Sequence, residues 1–565
     1  MGSKRWWWAA MAAMALGVAP VLAEEEEDVV EVEAAESDES APSSDAVFEF
    51  LVAEVAAQRG DVEGALAIYN RLARELRDSQ VARRGVELAI RSRLFGPALE
   101  SAALLLELDP ESTLAREIIA ALLANENDIG KARQMLANLL DRNAGRGALL
   151  MQMPHFFSKY SDKASVLEAV TAVAARYPDM AESHYAVGVA ALVAGEPQLA
   201  ARQTDEALQL RPAWEQAAIL KAQVLRKTSP HDIVGFYREF LAGHPGAVDV
   251  RMQLGRELAS ERKLGEAREQ FQLAEKSSGR DAQAPYAVGL LSLQLEDFAE
   301  AQGAFTRALK LGYREPAAIY LGMGQASEGL KRYEEAIGWY QKVDSGDWVR
   351  AQLKIGTLIS RQQGLQAGRD YLARIEPRSS EDRVQIVQVE AQLLREAKQW
   401  RETFDLLSKA VMAHPESYEL LYDRAMAAER VEQLDVLEAD LRRVIRMKPD
   451  YAHAYNALGY TLAEKTERLD EARELIEKAH KLSPDDPFIM DSVGWVHFRM
   501  GNVQEALKHL QLAYSARPDP EIAAHLGEVL WKSGQHDEAQ KIWRAALTEN
   551  PNHETLLAVM QKYRP

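Results

Sequence analysis

Residues able to do chemistry are present in this chain, but none has the spacing that chemistry requires. Gly322-Met323-Gly324 with Gly329 is the closest approach to a phosphate-cradling turn, in which backbone N–H groups meet an anion where a strand passes into a helix. No strand pattern precedes these glycines and the apolar residues around them keep a helical period, so they read as close-packing positions inside a helix. Gly130-Lys131-Ala132 lacks the hydroxyl residue and the upstream glycine of a P-loop. Seven of the twelve histidines follow position 450: His453, His480, His497, His509, His525, His536 and His553. A metal needs several ligands on one face. These histidines fall in different repeated units with no i,i+4 pair, and the spacing predicts a scattered set. GxSxG, HExxH and EF-hand patterns are absent, and 86 carboxylates offer many acid–base pairs while specifying none. The chain has no cysteine, which removes disulfides, thiolate metal sites and Cys nucleophiles. The expectation is a protein that is not an enzyme, with no catalytic, cofactor-binding or metal-binding residue.

The elements that would have to position such residues are repetitive. Of 565 residues, 47% are hydrophobic and 27% charged, which is enough for a core over most of the length. The net charge of −19 is unevenly placed: residues 24–45 hold eleven carboxylates and no Lys or Arg, so the rest is only mildly acidic. That balance gives no electrostatic footprint for nucleic acid. Residues 1–23 read as a secretory leader, with Lys4 and Arg5 before the apolar stretch Trp6 to Val18 and small residues near Ala23 for cleavage. The alternative is a retained anchor, for which Gly17, Pro20 and many alanines make a poor span. The reading is export to the periplasm with no integral span after cleavage. Residues 24–45 read as an acidic disordered segment.

From Ala46 a helical apolar period begins and a motif recurs: a small residue, an aromatic or aliphatic one, then Ala, often then Pro. Gly188-Ala200-Ala207-Pro212, Gly289-Ala301-Phe305-Ala308, Gly494-Ala506-Ala513-Pro518 and Gly527-Ala539-Trp543-Ala546-Pro551 are its clearest copies. Pro415, Pro449, Pro484, Pro518 and Pro551 close successive units at spacings of 34, 35, 34 and 33. Small residues on both helices let an antiparallel pair approach closely, the aromatic fills the space beside them, and Pro ends the second helix. The motif divides the chain into divergent repeats over 46–230, central repeats over 231–415, regular repeats over 416–551 and a capping helix over 552–565. It weakens near Pro154, Phe156 and Phe157 and again at Ser229-Pro230, either as bends or as packing irregularities.

The period and residue types resemble the tetratricopeptide (TPR) repeat. The fold expected is all-α, a superhelical α-solenoid of about 12–15 TPR-like helix hairpins. In such hairpins the first helices line the concave face. Aligned on Gly459, Gly494 and Gly527, the resemblance puts Asn456, Tyr460, Glu464, Asp491, Trp495, Phe498, Arg499, Glu528, Trp531 and Lys532 there as partner-binding candidates. Trp495 and Trp531 either bind there or pack against neighbouring repeats. The Lys/Asn pattern that clamps a peptide carboxylate in chaperone-type TPRs is not apparent.

The segments Ala454-Tyr455-Asn456-Ala457-Leu458-Gly459-Tyr460, Pro484-Asp485-Asp486-Pro487, Asp491-Ser492-Val493-Gly494-Trp495-Val496 and Glu521 to Trp531 resemble those of proteobacterial envelope TPR proteins. Among these are outer-membrane lipoprotein adaptors that bind a periplasmic carboxyl-terminal processing protease. The resemblance implies a non-enzymatic scaffold whose partners are such a protease and the cell-wall hydrolases it cleaves. The chain departs from those adaptors in lacking a lipobox cysteine, which points to a soluble periplasmic form over a lipid-anchored one at the outer membrane. The alternative is a scaffold for exopolysaccharide export or outer-membrane protein assembly.

Overall fold

The computed structural model describes residues 43–563 apart from 125–127, 144 and 159; residues 1–23, read above as a leader, and nearly all of the stretch read as an acidic segment lie outside the described residues. Thirty-one α-helices run from Ser44–Gln58 to Glu554–Lys562, with a 3-10 turn at Pro230–Asp232 and no strand among the described residues. They pair as fifteen hairpins, and Glu554–Lys562 is left as a terminal helix. The all-α solenoid expected from the period is what forms. Among the described residues no helix is long and apolar enough to cross a membrane. Contacts divide the chain into two units. One runs to Asp297 and takes in Thr306–Tyr313; the other holds Phe298–Phe305 and the chain from Arg314 onward.

Local chemistry explains why each hairpin turns where it does. In many of the hairpins one residue between first and second helices adopts positive φ, as at Gly195 (82°), Gly501 (86°) and Gly534 (85°). Arg262, Glu296, Lys331 and Glu432 take the same conformation with φ from 58° to 62°, at a cost of about 1 kcal/mol for a residue with a Cβ. The turn closes by an N–H reaching back into the helix: Asp297 to Ser292 O (2.8 Å), Asn502 to His497 O (2.8 Å) and Gln535 to Leu530 O (2.9 Å). At the other end the second helices stop two residues short of Pro415, Pro449, Pro484, Pro518 and Pro551. Proline cannot donate to the next helical bond, and the residue before it is driven out of the helical region.

At the two places where the motif weakens, the helices are interrupted by proline. Pro154 lies in the last turn of helix Arg146–Phe156, where it removes one i→i−4 bond and the helix ends two residues later, and Phe156 and Phe157 are fully buried in the core of the first unit. Pro230 opens the short 3-10 turn that leads into helix Ile233–Gly243.

Each seam rests on small residues. Ala472, Ala506 and Ala539 are all 0% exposed. Opposite them, a Cβ on Gly459 would lie 2.6 Å from the Ile476 side chain and 2.9 Å from the Ala472 carbonyl oxygen. On Gly494 it would lie 2.6 Å from Leu510 and 3.0 Å from the Ala506 carbonyl oxygen. Glycines 322 and 324 do the same work against Phe305 and Tyr340, each with ring atoms within 2.6 Å of the position a Cβ would take. They lie inside helix Pro316–Gly329 and form no phosphate turn.

Two substitutions test this seam. Gly459→Ala must push against backbone and is expected to destabilise by about 1–3 kcal/mol. Gly338→Ala, in helix Tyr333–Tyr340 with open space around it, is expected to stabilise by about 0.5–1 kcal/mol. Denaturant midpoints of the two variants should move in opposite directions.

Candidate functional site

An open cavity of about 440 Å³ lies along the first helices of the last four hairpins, Tyr418–Arg430, Ala452–Lys465, Pro487–Arg499 and Pro520–Lys532. Tyr422 and Met426 come from the first of these, Asn456, Tyr460 and Glu464 from the second, Phe488 and Asp491 from the third, and Glu521 and His525 from the fourth. The repeat puts them on one wall because residues at the same helical position recur one unit later. Thr555 of the terminal helix also borders the cavity, and beside it Glu554 forms an ion pair of 2.6 Å with Lys398, which is 156 residues earlier in the chain. A side chain of the terminal helix thus reaches the hairpin that precedes the groove.

His525 lies at the floor. Its Nδ1 is 2.8 Å from Asp491 Oδ2 and its Nε2 is 3.2 Å from the Tyr460 hydroxyl. Its ring stacks on Trp495 at 4.2 Å between centroids and 24° between planes. Burial favours the neutral ring, but the charge and hydrogen bond of Asp491, with Glu521 and Glu464 farther off, outweigh it and raise the pKa above its ordinary value. The imidazolium so favoured donates from Nδ1 to Asp491 and from Nε2 to Tyr460. Burial and then the carboxylates Glu464, Asp491, Glu521 and Glu429 push the Tyr460 phenol far above its usual range. A tyrosine in that state stays protonated and supplies no nucleophile.

The ten residues expected on the concave face separate into three groups. Asn456, Tyr460, Glu464 and Asp491 border the groove. Trp495, only 6% exposed, packs under His525 and donates from Nε1 to Glu464 (2.9 Å); Phe498 lies against it at 5.3 Å, and Arg499 donates to the Glu464 carbonyl oxygen (3.1 Å). Glu528, Trp531 and Lys532 belong to the end of the stack. Glu528 is buried and accepts from Lys562 Nζ and the Tyr563 hydroxyl, both at 2.8 Å. Trp531 stacks on His536 (4.3 Å) and near Trp543 (5.9 Å), and the Lys532 ammonium lies over the Tyr563 ring at 5.5 Å. The two tryptophans do not share a surface. Trp495 stands one residue after its glycine and Trp531 four after, which turns them by about 60° relative to one another on a helix of 3.6 residues per turn.

Two features escape a reading of the sequence alone. His525 and Asp491 are 34 residues apart, one repeat, and that spacing is the sign that they meet. The histidines expected to scatter also do so only in part. His497 and His509 share one hairpin instead of falling in different units, and His480 and His497 each lie within 6.2 Å of His509, ring to ring, because a residue of a second helix faces both its hairpin partner and the preceding second helix. Burial, and then the neighbouring His497, lowers the pKa of His509. Among the described residues no three His, Cys, Asp or Glu are placed to hold a metal ion.

Comparison with known proteins agrees with the repeat. Residues 286–348 and 422–487 match one tetratricopeptide repeat family and residues 497–563 a second. The chain is similar to a TPR repeat-containing protein of Pseudomonas aeruginosa, 39% identical over 212 residues, covering 37% of this chain and 36% of that one. It is also similar to bacteriophage adsorption protein A of Escherichia coli, 23% identical over 36% of this chain and 20% of that protein. The chain therefore spans about a third or less of the length of these curated relatives. Among solved structures, a TPR protein of Thermus thermophilus is 21% identical with a TM-score of 0.29 over 30% of this chain and 94% of its own. MamA of Desulfovibrio magneticus is 15% identical with a TM-score of 0.25 over 30% and 96%. The family models thus mark tetratricopeptide repeats at residues 286–348, 422–487 and 497–563.

Packing and charge at the floor each yield an expectation. Trp495→Ala removes a buried ring and should cost about 3–5 kcal/mol, seen as a lowered unfolding midpoint. The pKa of His525 is raised above 6.5 in the fold, so its stabilising contribution is fully present below that pH and is lost as pH rises through the raised value. Unfolding midpoints of the wild type and His525→Gln, followed from about pH 5.5 to 9, should converge as pH rises. A gap that stays constant would show that the ring acts by packing alone.

Proposed function

We propose that this TPR chain is a non-enzymatic scaffold that holds an extended segment of a partner protein in the groove over 418–532. The observation that carries the reading is the groove itself. Aromatic and charged side chains of four consecutive first helices converge on one open cavity, the composition that recognition surfaces favour over bulk surface. A repeat stack gives such a wall rigidity, because every helix on it is held by neighbours on both sides.

The cellular setting proposed is the bacterial envelope, with a carboxyl-terminal processing protease as partner and cell-wall hydrolases as the substrates brought to it. What supports this is the leader-like start of the chain, the resemblance of the segments from Ala454 to Trp531 to envelope adaptors, and the 39% similarity to a Pseudomonas TPR protein. A scaffold that raises local concentration needs no chemistry of its own.

Full-length protein used as bait on a bacterial envelope fraction should recover a processing protease together with a peptidoglycan hydrolase. The variant Met426→Ala with Phe488→Ala, both on the groove wall, should lower that recovery severalfold while leaving the unfolding midpoint within a few degrees. Recovery of neither class in mild salt overturns the protease assignment, and recovery untouched by the groove variant overturns the groove as the contact.

A further inference from the structure

Acceptors without partners stand on the groove wall. Asn456 Oδ1 is buried with no partner. Glu429 and Glu521 border the cavity and form no ion pair or side-chain hydrogen bond among the described residues. The other two carboxylates are occupied: Glu464 by Trp495 and Arg499, Asp491 by His525. Arg430 and Lys465 border the cavity too, and His525 lies at its floor. Both nitrogens of His525 are used, and the Arg430 guanidinium lies over the Trp400 ring at 5.3 Å. Lys465 borders the cavity but is exposed to solvent, where its charge is screened.

The walls complete a specific chemistry. Tyr422, Met426, Tyr460 and Phe488 offer the apolar and aromatic surface along which a long aliphatic stem packs, while unpaired acceptors stand ready for a charged head. The field agrees with this, since the charges that act most strongly on the Tyr460 proton are Glu464, Asp491, Glu521 and Glu429. A buried acceptor without a partner costs free energy that a donating ligand recovers. An anionic group entering here would meet carboxylates on every helix.

We infer that the groove selects its peptide segment by a basic side chain, lysine or arginine, whose stem lies against Tyr422, Met426 and Phe488 and whose head is held by Glu429, Glu521 and Asn456 Oδ1. This rests on the groove being a binding surface, and adds which segment it prefers. The main chain of the segment runs along the first helices, and the basic residue fixes its register.

Three fluorescent decapeptide pools test it. Each is acetylated and amidated to remove terminal charge, mixed in uncharged residues at the flanks, and fixed at the centre as Lys, Gln or Glu. Anisotropy titrations with the full chain should show the Lys pool binding at least about tenfold more tightly than the Gln pool, with the Glu pool weakest. In the variant Glu429→Gln with Glu521→Gln, whose side chains make no native hydrogen bond or ion pair, the Lys pool should fall to the level of the Gln pool. Equal binding of the Lys and Gln pools by the wild type overturns the basic preference while leaving the groove as a binding surface. A Lys preference that survives in the variant overturns it too, by assigning the effect to the overall acidity of the chain. Failure of all three pools to bind overturns both readings.

Discussion

Close approach of two helices in each hairpin is the constraint on which the rest of this molecule depends. At Gly459 and Gly494 a second-helix carbonyl oxygen stands within about 3 Å of where a Cβ would sit, so only hydrogen fits. Once the pair is drawn in this far, the buried alanines Ala472 and Ala506 leave room for Ile476 and Leu510 to cover the glycines. No hairpin closes its own apolar face. Each borrows the next, and stability is shared along the interfaces between neighbours.

Polar contacts between units follow from the same spacing. Glu464 accepts from Trp495, Asp491 pairs with His525, and Glu528 accepts from Lys562 and Tyr563, each carboxylate reaching the helix one repeat later. Burying a carboxylate is costly unless it is bonded, so these pairs fix which neighbour fits more than they add stability. For Glu528 the element one repeat later is the helix Glu554–Lys562. The terminal helix supplies the missing donors and covers Trp531 and Trp543 with Tyr563. By the same fold its first turn is brought to Lys398 and to the edge of the groove. The cap that finishes the core thus also bounds the cavity.

Much of this was legible from residues. The prolines at 415, 449, 484, 518 and 551 mark the ends of second helices because proline stops a helix wherever it stands. Glycines 322 and 324 were readable as packing positions because no strand precedes them. Half-legible was the groove: Asn456, Tyr460, Glu464 and Asp491 reach it, while Trp495 passes beneath it and Trp531 goes to the end cap. The misplacement has a physical cause. An offset of three residues on a helix keeps two side chains on roughly one side, yet about 60° decides between facing a cavity and facing the next repeat.

What the sequence determined by itself is therefore everything that depends on near neighbours in the chain: the all-α repeat, its period, the small-residue seams and the turns. The tertiary structure decided what depends on the stacking of one unit on the next. It joined His525 to Asp491 and Tyr460, gathered His480, His497 and His509, and left Glu429, Glu521 and Asn456 Oδ1 without partners beside one cavity. A repeat motif constrains the distance between helices within a unit. It leaves open the small rotation from each unit to the next, and that rotation sets which side chains meet across 34 residues.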